Sequence, residues 1–393
     1  MQIIVHRGCN QIGGSIVELA TGTTKIILDA GVNLDEGTEI AVPKIEGLFW
    51  GEKKYHAVFV SHYHPDHMGL LEYVIQDIPI YMGEKAYRIV QTANCYREIK
   101  QNYTSHLYRD NESINVGDMK ITPILCDHSA FDSYMFLIEA DDEKILYTGD
   151  FRANGRMEFD ELLKKLPKVD SLIIEGTTLS RDEDRDNVEE EFLVDIAVKA
   201  LERHKGPAFI MMSAMNVERV VTAYQIAKKT NRVFLEDLYT ASVAKAAGKE
   251  IPQPGGMNPA RVFMTGGIKQ YTMLRQYGRD KIGKHAIAKL PFLMCIRPSM
   301  KNYLEKLNAL CSFEDGILFF SMWKGYLEQP EMKMFIEFLQ QKGIKMHILH
   351  TSGHADKKTI GKLIEVTKPK KIIPIHTENA KWFEKYNVVQ NEI

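Results

Sequence analysis

The chain has 393 residues, of which 45% are hydrophobic and 26% charged, so it has room for one large globular domain or two ordinary ones. A net charge of −2 neither requires nor excludes a nucleic-acid partner, because a basic groove can be hidden in a neutral total. Five scattered cysteines, never spaced C-x-x-C, argue against a disulfide framework and against a thiolate zinc site. No apolar run reaches the roughly 18 residues of a membrane span, and MQIIVHRGCN lacks the pattern of a secretion signal. We therefore expect a cytoplasmic protein that makes no membrane contact.

The first half of the chain is typical of strands that end in polar loops. SIVELA and TKIILDAG are apolar runs separated by the turn TGTT, and HAVFVSH is a buried-strand pattern that leads into a cluster of histidines. MGLLEYVIQD and the segment 84–109 have apolar residues at helical spacing. INVGDMKITPILCDHS predicts strands ending in a loop, and YMFLIEADDEKILYTGDF predicts a hairpin turned by Asp141 and Asp142. VDSLIIEGTTLS predicts a further strand followed by a polar loop.

From about residue 185 onwards, predicted helices alternate with predicted strands. DNVEEEFLVDIAVKALERHK and NVERVVTAYQIAKKT are helical, whereas PAFIMMSA and RVFLED are strand-like. This alternation predicts βαβ units with a parallel sheet. GILFFSMW and KMHILHTSG continue the pattern before the helix DKKTIGKLIEVTK and the strand KKIIPIHTE. The chain is therefore expected to form two interleaved α/β modules.

Residues 60–69, VSHYHPDHMG, carry four side chains that commonly bind metals. His62, His64, Asp66 and His67 follow a predicted strand in the order H-x-H-x-D-H. Packing does not explain such a density of imidazole in a loop, and neutral imidazole with carboxylate suits zinc, or less exclusively manganese or iron. The cluster indicates a metal site.

Further polar residues stand at the ends of apolar strands, namely His128, Asp150, Glu175, His354 and His376. Strand ends at one edge of a sheet converge in space, which is where α/β folds commonly place their sites. Taken alone, such a histidine is more often a hydrogen-bonded core residue, and the carboxylates could be turn or helix-cap residues. The cluster at 60–69 favours the ligand interpretation, because it cannot complete two coordination shells by itself. Two ions together could activate a water and polarise a phosphoryl or carbonyl oxygen.

The stretch CYREIKQNYTSHLYR, residues 95–109, interleaves tyrosines with basic residues. It could stack bases and contact phosphates, but an ordinary amphipathic helix explains it equally well. QIGGS indicates a tight turn, and neither a P-loop nor a dinucleotide fingerprint is present in the sequence.

The order H-x-H-x-D-H, followed by His128, Asp150 and His376, resembles the metallo-β-lactamase superfamily. KIILDAG, with Asp29, is similar to an early strand-end aspartate of that family. The resemblance implies an αββα sandwich with two metal ions bridged by Asp150. The implied ligands are His62, His64 and His128 for one ion, and Asp66, His67 and His376 for the other.

The long gap between Asp150 and His376 is filled by the second α/β module. GDFR, EGTT, SGHADKK and KPKKIIPIHTE are similar to segments of the β-CASP nucleases, with RNase J nearest, but without the C-terminal domain that RNase J proteins usually carry. This implies a metallo-β-lactamase domain at 1–190 and 331–393, with a β-CASP α/β domain inserted at 191–330. The implied catalytic residues are Asp66, Glu175 as the motif A acid and His354 as the motif B histidine. Ser352, Gly353, His354 and Ala355 are implied to bind a substrate phosphate.

The resemblance implies a dimetal-dependent ribonuclease that hydrolyses RNA phosphodiester bonds as a 5′ exonuclease, an endonuclease or both. The expected cofactors are two zinc ions, with manganese as the alternative. Single-stranded RNA is the expected partner and DNA the alternative, while a homodimer is left open. One rival is a hydrolase of DNA or of a small ester or phosphodiester. A second rival is a catalytically idle scaffold that binds nucleic acid, although such a scaffold would be expected to have lost ligands.

Overall fold

The computed structural model describes residues 1–34, 40–181, 187–255, 258–266 and 268–386. The chain divides into two units, one formed by Met1–Asn187 with Gly353–Ile393 and the other by Val188–Ser352. The second unit ends at Ser352, whereas the boundary expected from the sequence lies at 330. The reason is that the strand at 345–348 pairs in parallel with the strand at 317–320 and so completes the sheet of that unit.

The first unit contains two six-stranded sheets. In the first sheet the strands follow chain order, with antiparallel pairing at the start and parallel pairing from the third strand onwards. These strands are β1 (Gln2–Arg7), β2 (Ile16–Ala20), β3 (Lys25–Leu28), β4 (Ala57–Phe59), β5 (Ile80–Gly83) and β6 (Ser105–Tyr108). The carboxyl end of β4 leads directly into the histidine cluster.

The second sheet has the spatial order β18-β11-β10-β9-β8-β7. Its strands are β7 (Ile114–Val116), β8 (Met119–Cys126), β9 (Ser133–Ala140), β10 (Glu143–Tyr147), β11 (Ser171–Glu175) and β18 (Lys371–Ile375). The turn between β9 and β10 places Asp141 and Asp142 at φ values of 51° and 57°, the left-handed pair that a tight hairpin requires. This confirms the predicted hairpin. Because β10, β11 and β18 are parallel, Asp150, Glu175 and His376 emerge at the same edge.

Alternating side chains of the second sheet build two apolar layers. Ile145 and Tyr147 on β10 pack towards Phe59 of the first sheet, whereas Leu146 between them packs on the opposite face. Helices cover the outer faces of the sheets, so the unit is the expected αββα sandwich. They are α1 (Pro65–Met68), α2 (Glu84–Arg97), α3 (Phe159–Lys165) and α11 (Lys357–Thr367), with 3-10 helices at Leu71–Tyr73 and Ala380–Tyr386.

The second unit is built on a parallel six-stranded sheet with the order β14-β13-β15-β12-β16-β17. Its strands are β12 (Ala208–Met211), β13 (Val233–Asp237), β14 (Ala260–Phe263), β15 (Phe292–Ile296), β16 (Ile317–Phe320) and β17 (Lys345–Ile348). The predicted βαβ alternation is therefore confirmed. Its helices are α4 (Glu190–Leu201), α5 (Val217–Lys229), α6 (Leu238–Ala247), α7 (Ile268–Leu274), α8 (Lys284–Ile287), α9 (Lys301–Asn308) and α10 (Pro330–Gln340), with 3-10 helices at Arg275–Asp280, Pro298–Met300 and Lys324–Glu328.

Two helix predictions in the first unit are wrong. In MGLLEYVIQD the backbone N–H groups of Leu70 and Ile75 donate to the carbonyl oxygens of Ala30 and Leu48. They therefore cannot make the hydrogen bonds of a continuous helix. The predicted helix 84–109 ends at Arg97, where Glu98 adopts the left-handed conformation at φ 61°. The remainder includes β6, which pairs with β5, so the tyrosine-rich stretch 95–109 is divided between a helix end and a strand.

Among the described residues, no helix combines the length and apolar character needed to cross a bilayer.

Candidate metal centre

Asp150, three residues after the end of β10, lies at the middle of the site. Its Oδ2 atom is 3.3 Å from Nε2 of His67 and 3.6 Å from Nε2 of His62. The same oxygen is 3.8 Å from Nε2 of both His128 and His376. The Nε2 atoms of four implied ligands thus lie around a single buried carboxylate oxygen, as expected of a bridging ligand.

The side chains around Asp150 form three overlapping groups, in each of which the candidate ligand atoms lie within 4.8 Å of one another. Asp150 belongs to all three. The first group is completed by His62, His64 and His128, the second by Asp66, His67 and His376, and the third by Glu175 and His354. The structure thus brings together all seven residues that the resemblance implied as metal ligands.

The loop that carries four of these side chains is fixed by its backbone. The backbone N–H groups of Ala30 and Ser15 donate to the carbonyl oxygens of His67 (2.7 Å) and Asp66 (3.0 Å). Gly31 approaches so closely that a Cβ atom there would lie 1.7 Å from the Asp66 carbonyl oxygen. Only glycine permits this approach, so the backbone itself contributes to holding the loop in place.

Asp29 orients the His67 ring through Nδ1, the ring nitrogen that faces away from Asp150. Its Oδ2 accepts hydrogen bonds from Nδ1 of His67 (2.7 Å), from the Ser61 hydroxyl (2.7 Å) and from the Tyr147 hydroxyl (2.6 Å). Its Oδ1 accepts from the backbone N–H of Ser61 at 2.6 Å. A carboxylate on the far nitrogen of a metal-binding histidine fixes the ring and its tautomer and increases the basicity of the ligand nitrogen.

Uncharged groups orient three of the other histidines in the same way. Each group accepts a hydrogen bond from the Nδ1 atom of the ring, so that the Nε2 atom points towards Asp150. The pairs are His62 with the Ser61 hydroxyl (3.0 Å), His376 with the Thr177 hydroxyl (2.8 Å) and His128 with the Gly353 carbonyl (2.5 Å). His64 is the exception, because its Nδ1 is the atom that lies near Nε2 of His62 (3.2 Å) and of His128 (3.1 Å).

Burial favours the neutral form of His62, His64 and His128. Burial lowers the pKa of His62 and His128 well below the ordinary value, and lowers the pKa of His64 to about 4. Burial acts in the same direction on His67, but Asp150 and Asp29 outweigh it and raise the pKa of that ring. The negative charge of the two buried carboxylates, Asp150 and Asp29, can be balanced either by a proton or by a metal ion.

The polar atoms at the centre fit a pair of metal ions. Neither oxygen of Asp150, nor Nε2 of His67, has a hydrogen-bond partner among the described residues, although all three atoms are buried. Buried polar atoms without partners are costly and require an explanation. Imidazole nitrogens and carboxylate oxygens arranged in this way are the donors that zinc or manganese accepts.

Beside the ligands lies a second pair, Glu175 and His354. Glu175 is buried and accepts hydrogen bonds from the backbone N–H groups of Phe151 (3.1 Å) and Thr177 (3.2 Å). Nδ1 of His354 is 3.6 Å from Oδ2 of Asp150, and 21% of the His354 side chain is exposed. Glu175 and Asp150 raise the pKa of His354 against the opposing effect of burial. The pair is therefore placed next to the ligands, with an imidazole that solvent can reach.

The four residues expected to bind phosphate have different surroundings. Gly353 uses its carbonyl oxygen for His128, and the His354 carbonyl accepts from the Asn187 side chain at 2.8 Å. The Ala355 side chain is fully buried in an apolar cluster. Ser352 belongs to the second unit. Phosphate binding by this segment stays a prediction.

Two residues of the site have left-handed backbone. Asp29 has φ 60° and His376 has φ 50°. Both follow the end of a strand, and both side chains turn into the buried centre. The left-handed conformation is unfavourable for residues other than glycine, although Asp tolerates it better than most.

Sequence reasoning missed the residues that orient the ligands, namely Ser61, Tyr147 and Thr177. Ser61 adjoins His62, and Thr177 is two residues after Glu175. A hydroxyl beside a candidate ligand was a signal that could have identified both. Tyr147 gave no such signal, because a tyrosine in an apolar strand is ordinarily a core residue.

Comparison with known proteins gives two family matches. Residues 24–235 match a family described as "Beta-lactamase superfamily domain". Residues 343–387 match a family described as "Zn-dependent metallo-hydrolase RNA specificity domain". The first match covers more than half of the chain.

Similar proteins include curated relatives and a solved structure. An "RNase J-like protein" of Methanocaldococcus jannaschii is 30% identical over 190 residues, which cover 44% of this chain and 41% of that protein. "Ribonuclease J" of Mycoplasma pneumoniae is 21% identical, over 96% of this chain and 68% of that protein. "Ribonuclease J 2" of Staphylococcus epidermidis is 22% identical, over 59% and 44%. The chain therefore spans less than half of the length of two of these three relatives.

A crystal structure of a protein of unknown function from Enterococcus faecalis V583 has the same fold. Its TM-score is 0.79 at 23% identity, and the alignment covers 96% of this chain and 94% of that one.

Proposed function

Because the chain belongs to the metallo-β-lactamase superfamily, and within it to the RNase J-like β-CASP family, we propose that it is a metal-dependent ribonuclease acting on single-stranded RNA. The observation that carries the proposal is the set of four imidazole nitrogens around Oδ2 of Asp150, with the pair of Glu175 and His354 beside it. The names of the curated relatives support RNA as the substrate.

Each residue of the centre has a proposed role in holding metal ions. His62, His64 and His128 would hold one divalent ion and Asp66, His67 and His376 the other, with Asp150 shared by both. We propose zinc in both positions, with manganese as the alternative. When bound, such ions supply Lewis acidity, which lowers the pKa of water and neutralises charge developing on phosphoryl oxygens.

The residues outside the ligand set handle the leaving group. In hydrolysis a water oxygen forms a bond to phosphorus while the bond from phosphorus to the 3′ oxygen breaks. His354 would donate a proton to that departing oxygen, and Glu175 would hold the imidazole ring in orientation. Glu175 can do this because backbone N–H groups fix both of its oxygens. Asp66 would join these groups as a carboxylate ligand, and its Oδ2 lies 3.0 Å from Nε2 of His376.

The test uses purified chain, zinc or manganese, and RNA labelled at a 5′ end that carries either a monophosphate or a triphosphate. We expect cleavage that a chelator abolishes and that added metal restores. Release of mononucleotides from the monophosphate form alone would establish a 5′ exonuclease, and internal fragments would establish an endonuclease. Turnover of labelled DNA or of small esters without RNA cleavage would contradict the proposal.

A further inference from the structure

Two large aromatic side chains stand exposed directly after β16 of the second unit. Trp323 is 61% exposed and Tyr326 is 38% exposed. Their ring centroids are 5.8 Å apart and the ring planes meet at 81°, close to a right angle. We call this pair the aromatic corner. Two adjacent exposed rings form a contiguous apolar patch, and such patches mark interaction sites more often than single exposed side chains do.

Gly325 lies directly against the indole ring of Trp323. A Cβ atom at this position would lie 2.2 Å from both Cη2 and Cζ3 of Trp323. Any larger residue would therefore push the ring aside, so the ring is held against the backbone while most of its surface stays in water. A ring fixed in this manner loses little conformational freedom when a flat ligand stacks on it.

The base of the corner is anchored in the interior of the unit. Ser321, at the end of β16, donates its hydroxyl to the carbonyl oxygen of Leu349. Arg219 donates to the Ser321 carbonyl oxygen at 3.1 Å, and is itself paired with Glu190 at 2.6 Å. Ser321, Arg219 and Glu190 are all buried. This network fixes the residue from which the corner projects.

We propose that the aromatic corner, which belongs to the second unit, stacks an unpaired base of RNA. Two rings at right angles offer one face for stacking and one edge contact, which suits a planar base. Lys324 lies between them in the chain and is exposed, so its ammonium group can approach a phosphate of the same strand. The corner also stands at the carboxyl end of a parallel strand, where α/β sheets commonly bind their ligands. The identity of the ligand rests on the proposed function.

The test measures binding apart from cleavage. A single-stranded phosphorothioate RNA of about 12 nucleotides, which resists hydrolysis, is titrated into the full chain. The chain has three tryptophans, so the double variant Trp50→Phe with Trp382→Phe leaves Trp323 as the sole indole. We expect RNA to quench its fluorescence, and duplex RNA of the same sequence to leave the signal unchanged, because paired bases are not available for stacking.

Variants at the aromatic corner distinguish base stacking from nonspecific electrostatic attraction of RNA. Trp323→Ala should weaken binding about tenfold, and Trp323→Phe should weaken it less. Gly325→Ala should also weaken binding, because the new methyl group displaces the indole. Trp50→Ala is the matched control, since Trp50 is 52% exposed and belongs to the first unit, and it should leave RNA affinity unchanged.

The outcomes distinguish this inference from the proposed function. If the chain cleaves RNA but Trp323→Ala binds RNA as tightly as the parent, the corner does not stack bases and the inference is wrong. The inference is equally wrong if Trp323 fluorescence ignores single-stranded RNA, as it would if the corner served a protein partner. If RNA quenches Trp323 but is never cleaved, the ribonuclease proposal fails while the corner remains an RNA-binding site.

Discussion

Nδ1 of His354 lies 3.3 Å from each of the two carboxylate oxygens of Glu175, a residue 179 positions earlier in the chain. The carboxylate itself is held by two backbone N–H groups. The ring can therefore keep one orientation beside the candidate metal centre while staying outside the seven proposed ligands. In the proposed function, this arrangement makes holding ions and delivering a proton separable by mutation.

Removing His354 should reduce turnover without emptying the centre. For His354→Ala we expect kcat for RNA cleavage to fall by about 10²- to 10⁴-fold, because the proton for the leaving oxygen is lost. Metal content, measured by mass spectrometry of metals in dialysed protein, should equal that of the parent. Glu175→Gln should have a smaller effect, since the ring remains present. A loss of metal in His354→Ala would contradict the separation of the two roles.

Asp150→Asn should deplete the centre of metal. The amide lacks the charge that balances two ions, and it replaces the carboxylate oxygen around which four imidazole nitrogens gather. We expect the loss of at least one ion per chain and of all RNA cleavage. Asp160→Asn, at a side chain that is 75% exposed on α3, is the control and should retain both. Full metal occupancy in Asp150→Asn would show that the carboxylate is not a bridging ligand.

Asp29→Asn should weaken metal binding without removing any ligand. Asp29 orients His67, and loss of such an outer partner typically costs 10–100-fold in metal affinity. Tyr147→Phe removes only one of the donors to Asp29, so we expect a smaller loss. Competition with a fluorescent chelator gives both affinities. Equal affinity in Asp29→Asn and the parent would mean that the ring holds its position by packing alone.

Chelation of the metal should leave the fold intact. The loop that carries four candidate ligands is tied by backbone hydrogen bonds to Ser15 and Ala30, and these bonds do not use the side-chain atoms that would bind ions. We expect unchanged far-ultraviolet circular dichroism after removal of metal, with a lower Tm because bound ions stabilise the folded state by mass action. Loss of secondary structure on chelation would overturn this expectation.

Glu236, in the second unit, should make stability depend on pH. Its side chain is buried on β13 without a hydrogen-bond partner among the described residues, and burial raises its pKa to about 8 from the ordinary 4.5. Between these values the unfolded chain has released the proton while the folded chain keeps it. Stability therefore falls as pH rises from about 4.5 and levels off above about 8, by a few kcal/mol in total.

Urea unfolding of the intact chain across this pH range measures the effect. Glu236→Met should flatten the curve and raise stability at neutral pH, because an apolar side chain replaces a buried acid. Glu331→Met, at an exposed position, should leave the pH dependence unchanged. A parent curve without a slope between pH 5 and 8 would contradict the assignment to Glu236.

The candidate ligands could be picked out from the sequence because their signal is local. His62 to His67 stand within six residues, and the other candidates follow apolar strands whose patterns are clear. Their partners give a weaker signal: Ser61 adjoins His62, but Gly353, the partner of His128, comes from a distant segment. The helix predicted in MGLLEYVIQD does not form for a related reason, since the backbone N–H groups of Leu70 and Ile75 donate to residues from other segments of the chain.

The left-handed backbone of Asp29 and His376 has a cost that the side chains offset. Glycine would relieve about 1 kcal/mol of backbone cost at either position. At Asp29, however, glycine would also remove the carboxylate that accepts four hydrogen bonds, and each buried donor left without an acceptor costs about 1–3 kcal/mol. A library of this chain selected only for heat resistance should therefore keep Asp29, although no substrate is present to select for it.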